Sequence, residues 1–131
     1  MPKIILCCVD GSGPSKRALR RAAQRAKAPD TQLVILGVAA HLPPEGHEAR
    51  VAQVKAVLEE ARGLVVAEGV SPKILEVSGD PAETIVQTAR DQGADAILLG
   101  SVGQGAKPGQ LKGAVARKVQ DELGAKVDLV D

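Results

Sequence analysis

The chain has 131 residues, Lys+Arg 17 against Asp+Glu 16, 44% hydrophobic and 25% charged residues, and no Phe, Tyr or Trp. The length suits a single domain, 1–131, and the composition is that of a globular protein rather than a disordered one. A net charge of +1 lacks the basic excess of a nucleic-acid partner, and the missing aromatics exclude cation cages and base-stacking platforms.

Lys3–Val9 is a continuous apolar run, as in a strand covered on both faces. Asp10-Gly11-Ser12-Gly13 interrupts it, and Pro14 suits the first turn of a helix to about Ala26. That helix carries a stripe of small apolar residues (Ala18, Leu19, Ala22, Ala23, Ala26) and a basic set (Lys16, Arg17, Arg20, Arg21, Arg25, Lys27), which reads as a solvated outer face. Leu33–Ala40 is a second buried strand, His41–Gly46 a Pro/Gly loop, and the next helix runs to about Glu68. Its apolar positions Val51, Val54, Leu58, Ala61 and Val65 have helical spacing.

Lys73–Val77 predicts a short third strand. Asp80-Pro81-Ala82-Glu83 is a helix start, with Asp as N-cap, Pro at the first position and Glu at the third, and Gly93 stops that helix. Ala96–Leu99 is the fourth strand, Ala114–Leu123 the fourth helix and Val127–Val130 the fifth strand. Five strands alternating with four helices predict an α/β fold: a doubly wound, five-stranded parallel sheet of Rossmann-like type. In such sheets ligands bind beyond the carboxyl ends of the strands, which points to Asp10–Gly13, Val38–Ala40, Ser78–Asp80 and Gly100–Gly113.

Several chemistries find no support. Cys7 and Cys8 are neighbours, so in a strand they face opposite ways, and both read as reduced, buried apolar residues. His41 and His47 have no nearby Cys, which argues against a metal site. The N-terminus reaches a strand pattern at once and no apolar run approaches the roughly 18 residues of a membrane span, so a cytoplasmic protein is expected. Gly11-Ser12-Gly13-Pro14-Ser15-Lys16 has Lys where a dinucleotide fingerprint needs Gly, and no P-loop pattern exists. No His lies near a nucleophile, so no catalytic residue is assigned.

The stretch Gly100 to Ala114 is the informative feature. Gly100 and Gly103 allow close approach of main chain to a ligand, and Gly113 opens a helix whose free amides and dipole favour phosphate. A surface loop with capping glycines is the plainer alternative.

Gly100, Gly103 and Gly113 have the spacing Gly, two residues, Gly, nine residues, Gly, directly after a buried strand. With Val9-Asp10-Gly11-Ser12 and Val77-Ser78-Gly79-Asp80-Pro81-Ala82-Glu83-Thr84-Ile85, this resembles the universal stress proteins of the ATP-binding type along the whole chain. The resemblance implies an adenine-nucleotide alpha hydrolase-like fold, a homodimer paired through the final strand, and binding of ATP or AMP with Mg2+ carried on the phosphates. Carried over by position, Asp10 contacts the adenosine part beside Val9. Val38 reads the adenine edge through its backbone, and Leu99 lines the same pocket. Gly100 and Gly103 admit ribose and phosphates. Gly113, Ala114 and Val115 present helix amides to the phosphate chain. Val9, Val38, Leu99 and Val115 have a plainer reading as core, and Asp10 as a cap of the first helix.

Two departures bear on affinity. Ala114 stands where the family carries Ser or Thr, which deletes a hydroxyl worth on the order of 0.5–3 kcal/mol toward phosphate. Val102 replaces a frequent basic residue or His, with Lys107 and Lys112 in partial compensation. The expectation is a nucleotide-binding regulatory module of the stress response, not an enzyme, with weaker binding than its intact relatives. The alternative is a dimerisation or interaction scaffold that has lost the nucleotide. Asp128, central in the last strand, is expected to meet its mate across a twofold pairing and to weaken a dimer more at neutral than at acidic pH.

Overall fold

The computed structural model describes residues 2–101 and 113–131. Its elements, in chain order, are β1 (Lys3–Cys8), α1 (Gly13–Ala26), β2 (Thr31–Ala40), α2 (His47–Ala67), β3 (Lys73–Gly79), α3 (Pro81–Gln92), β4 (Ala96–Gly100), α4 (Ala114–Leu123), a 3₁₀ turn (Gly124–Lys126) and β5 (Val127–Val130). β2 begins two residues earlier and β3 ends two residues later than their apolar patterns suggest, because Thr31 and Gln32 pair with Lys3 and Ile4 of β1, and Ser78 and Gly79 with Ala39 and Ala40 of β2.

The sheet has the order β3-β2-β1-β4-β5, all parallel. The chain winds outward from β1 to β3, then returns across the sheet to β4 and winds the other way. With right-handed crossovers, this places α1 and α2 on one face and α3 and α4 on the other. The buried residues divide accordingly. Ile5, Cys7, Leu33, Ile35 and Leu98 pack under Leu19, Ala22, Leu58 and Val65, whereas Leu6, Cys8, Leu36, Ile97 and Leu99 pack under Ile85, Val86, Ala116 and Val119. Period-2 alternation separates the two cysteines as expected, and both thiols are free.

The helix boundaries follow local chemistry. In α3, the Asp80 Oδ2 accepts the Glu83 N–H at 3.0 Å, Pro81 takes the first position, and Gly93 stops the helix at φ +64°, a left-handed value that costs glycine little. In α1 the cap is Ser12, not Asp10: the Ser12 Oγ accepts the Ser15 N–H at 3.2 Å. The point where the chain reverses its winding falls between β1 and β4, so their ends diverge and leave a gap at the carboxyl edge.

Candidate functional site

That gap is a cleft of about 330 Å3, within the range of small-molecule sites, roughly 300–1,000 Å3. Its floor is apolar: Cys8 ends β1, Leu36 comes from β2 and Leu99 from β4, all on the α3/α4 face of the sheet. Val38 and the first turn of α3 (Pro81 and Ile85) form one wall. The opposite side is the first turn of α4, Gly113 to Ala116, with Asp10, Ser15, Gly100 and Ser101 between them.

The α1 side is held by interlocked hydrogen bonds. The Asp10 Oδ1 accepts the Ser12 N–H at 2.9 Å, and the Asp10 N–H donates to the Ser15 Oγ at 3.0 Å. Ser15 is nine-tenths or more buried, so these bonds fix the turn that carries the exposed Asp10 carboxylate to the cleft mouth. Gly100 serves this turn as well. A Cβ there would stand 2.9 Å from both the Pro14 Cβ and the Ser15 N. The room that an added Cβ would need is filled by the start of α1, so Gly100 has a packing role beside its place in the cleft lining.

The α4 side is fixed by Ser101. Its N–H donates to the Val130 carbonyl at 2.8 Å, and its own carbonyl accepts the Gly113 N–H at 2.7 Å. The Gly113 amide thus has a partner within the protein, while Gly113 itself lines the cleft. The first bond within α4 is Arg117 N–H to the Gly113 carbonyl at 3.0 Å. The amides of Ala114, Val115 and Ala116 thus lack an acceptor inside the helix, and these three residues line the cleft at the end of the helix whose dipole favours an anion.

Of the candidate residues, Val9, Asp10, Val38, Leu99, Gly100, Gly113, Ala114 and Val115 all line this one cleft. Val9 does so while its side chain belongs to the buried set under α1 and α2. Gly103, Val102, Lys107 and Lys112 lie outside the described residues. The cleft also takes in Cys8, Ser15, Leu36, Pro81, Ile85, Ser101 and Ala116, which motif matching passed over. Alternation was the available signal: Leu36 and Val38 share a strand face, and so, across the pair β1/β4, do Cys8 and Leu99.

Burial pushes the Cys8 thiol up to about 12, with the Asp10 carboxylate adding in the same direction, and Cys7 is raised well above its ordinary value for the same first reason. Neither presents a thiolate to the cleft near neutral pH. The basic face of α1 is exposed but tethered: Lys16 pairs with Glu60 at 3.2 Å, Lys27 with Glu68 at 3.0 Å, and both Arg21 and Arg25 reach Asp128. His47, expected to hold no metal, hydrogen-bonds through its Nε2 to the Ser78 Oγ at 3.0 Å. No helix among the described residues is long and apolar enough to cross a membrane.

A parallel five-stranded sheet between two helical layers, with an apolar-floored cleft at its winding reversal, defines an α/β protein of the Rossmann-like class. The model of the Universal stress protein family matches residues 1–124, and the chain belongs to that family. It is 31% identical to a universal stress protein of Thermus aquaticus, over 99% of both chains. A universal stress protein solved in complex with cAMP is 29% identical with a TM-score of 0.77, covering 98% of this chain and 97% of the other. The universal stress protein from Archaeoglobus fulgidus in complex with dAMP, at 24% identity and TM-score 0.78 over 100% and 98% of the two chains, shares the fold.

Proposed function

We propose that the cleft binds an adenine nucleotide, ATP or AMP, and that the protein, one domain over residues 1–131, acts through this ligand as a regulatory or signalling module of the cytoplasmic stress response. The observation that carries the reading is the apolar floor set beside the first turn of α4, whose Ala114, Val115 and Ala116 amides have no acceptor within the helix, in one cleft. The floor and Val38 suit a purine face, and the backbone of Val38 suits its edge. The exposed Asp10 carboxylate suits ribose hydroxyls. Ala114, Val115 and Ala116 suit phosphate, and Mg2+, when present, neutralises the phosphate charge from the ligand side. The cAMP held by the 29% identical neighbour is of the same chemical class.

The ligand serves as a signal in this reading, with no group assigned to activate a water for hydrolysis. The outer edge of β5, the last strand on its side of the sheet, is proposed to pair with a second copy in a homodimer. The second reading, a scaffold without nucleotide, is favoured by one observation: Ala114 offers no hydroxyl at the first position of α4. Isothermal titration with Mg-ATP and with AMP decides between them. Saturable binding supports the nucleotide module, and no heat at millimolar nucleotide from folded protein leaves the scaffold. Because the chain has no aromatic residues, adenine carried through purification would dominate its near-ultraviolet spectrum.

A further inference from the structure

Ser101 is held at all three of its polar groups. Besides the two main-chain bonds already described, its Oγ donates to the Asp131 Oδ1 at 2.6 Å, a length typical of a hydroxyl on a carboxylate and stronger than a neutral bond. Asp131 is itself anchored from the other side, where the Arg17 Nε donates to its main-chain carbonyl at 2.5 Å. A continuous set of contacts therefore runs from α1 through Asp131 to Ser101, and from Ser101 through Gly113 to the first turn of α4. Ser101 is buried and lines the cleft, whereas Asp131 is exposed and is not itself among the lining residues.

We propose that Asp131 is a positioning residue for anion recognition. By fixing the Ser101 hydroxyl it fixes the Ser101 carbonyl, which holds Gly113 and thereby aims the Ala114, Val115 and Ala116 amides into the cleft. The inference rests on the reading of the cleft as a nucleotide site. Its distinguishing consequence is selectivity within the ligand: the phosphate end depends on Asp131, and the nucleoside end, bound by Val38, Leu99 and Asp10, does not.

The test compares adenosine, AMP and ATP on wild type, Asp131→Ala, Asp131→Asn and Ser101→Ala by titration of the full chain, with amide hydrogen exchange of the unliganded proteins. Asp131→Ala should weaken AMP and ATP by about tenfold, the order of one charge-assisted hydrogen bond, and leave adenosine within about twofold. Asp131→Asn, whose amide oxygen still accepts the hydroxyl, should restore most of the loss. Ser101→Ala should match Asp131→Ala, and the double variant should be no worse than either single one. The Gly113 amide should exchange faster in Asp131→Ala than in wild type. Equal AMP affinity in wild type and Asp131→Ala, or an equal loss of adenosine and AMP, overturns the positioning role while the nucleotide reading stands. A wild type that binds neither AMP nor ATP overturns both.

Discussion

The α-carbon of Gly100, at the end of β4, lies so close to the amide of Ser15 in α1 that a Cβ on it would stand 2.9 Å away. Real Cβ contacts do not come this near, and the Pro14 side chain crowds the same point at 2.9 Å. Gly100 is therefore required by packing between the end of β4 and the start of α1, besides lining the cleft.

Gly100→Ala should consequently destabilise the whole fold, by about 1–3 kcal/mol as an overpacked site. Urea unfolding followed by far-ultraviolet circular dichroism measures it. A variant as stable as wild type that merely binds nucleotide less well would return Gly100 to a ligand role.

Restoring the hydroxyl at the head of α4 should act on ligand alone. Ala114→Ser is expected to tighten AMP and ATP by about twofold to a hundredfold, corresponding to roughly 0.5–3 kcal/mol for one added hydrogen bond. Adenosine affinity and thermal stability should not move. Unchanged AMP binding would mean that the phosphates lie away from this helix start.

The two buried thiols make stability fall at alkaline pH. The Cys8 thiol is raised from 9.0 to about 12, so the folded state holds its proton more tightly than the unfolded one. The contribution is complete below pH 9 and is lost as pH rises from 9 toward 12, at about 1.4 kcal/mol per pH unit for each thiol. Cys7 shifts in the same direction and adds to the slope. Urea midpoints across this range should drop more steeply for wild type than for the Cys7→Ala/Cys8→Ala variant. With no tyrosine in the chain, thiolate formation can be followed directly in the ultraviolet. Parallel slopes for the two proteins would contradict the assignment.

Asp128 carries a different consequence from the one its position in the strand suggests. Its carboxylate takes Arg21 Nη1 at 3.0 Å and Arg25 Nη2 at 2.6 Å, both from α1 of the same chain. The charge is compensated before any partner arrives, and the like-charge repulsion expected between twofold-related copies loses its basis. Asp128→Asn should cost about 0.5–1 kcal/mol, kept small because both arginines are nearly half exposed. If two copies pair through the β5 edge, sedimentation should find Asp128→Asn dimerising no more tightly than wild type. A markedly tighter dimer would reinstate the repulsion.

Much of this protein was legible in its residues. The α/β alternation, the Asp80-Pro81 start and Gly93 stop of α3, and the start of α4 at Ala114 depend on interactions within a few positions along the chain, so local spacing reveals them. The strand-end rule, the glycine spacing and the family resemblance together pointed to eight described residues that share one cleft. The folding of the chain decided the rest. Ser101 meets Asp131 thirty positions away, and Arg21 meets Asp128 across 107. Whether Gly113 offers its amide to a ligand or to Ser101, and whether Gly100 faces a ligand or Pro14, depends on which strands lie side by side. Such choices are made by the order β3-β2-β1-β4-β5. Hydrophobic periodicity carries no record of strand order, because every buried strand presents the same apolar faces whichever neighbour it pairs with.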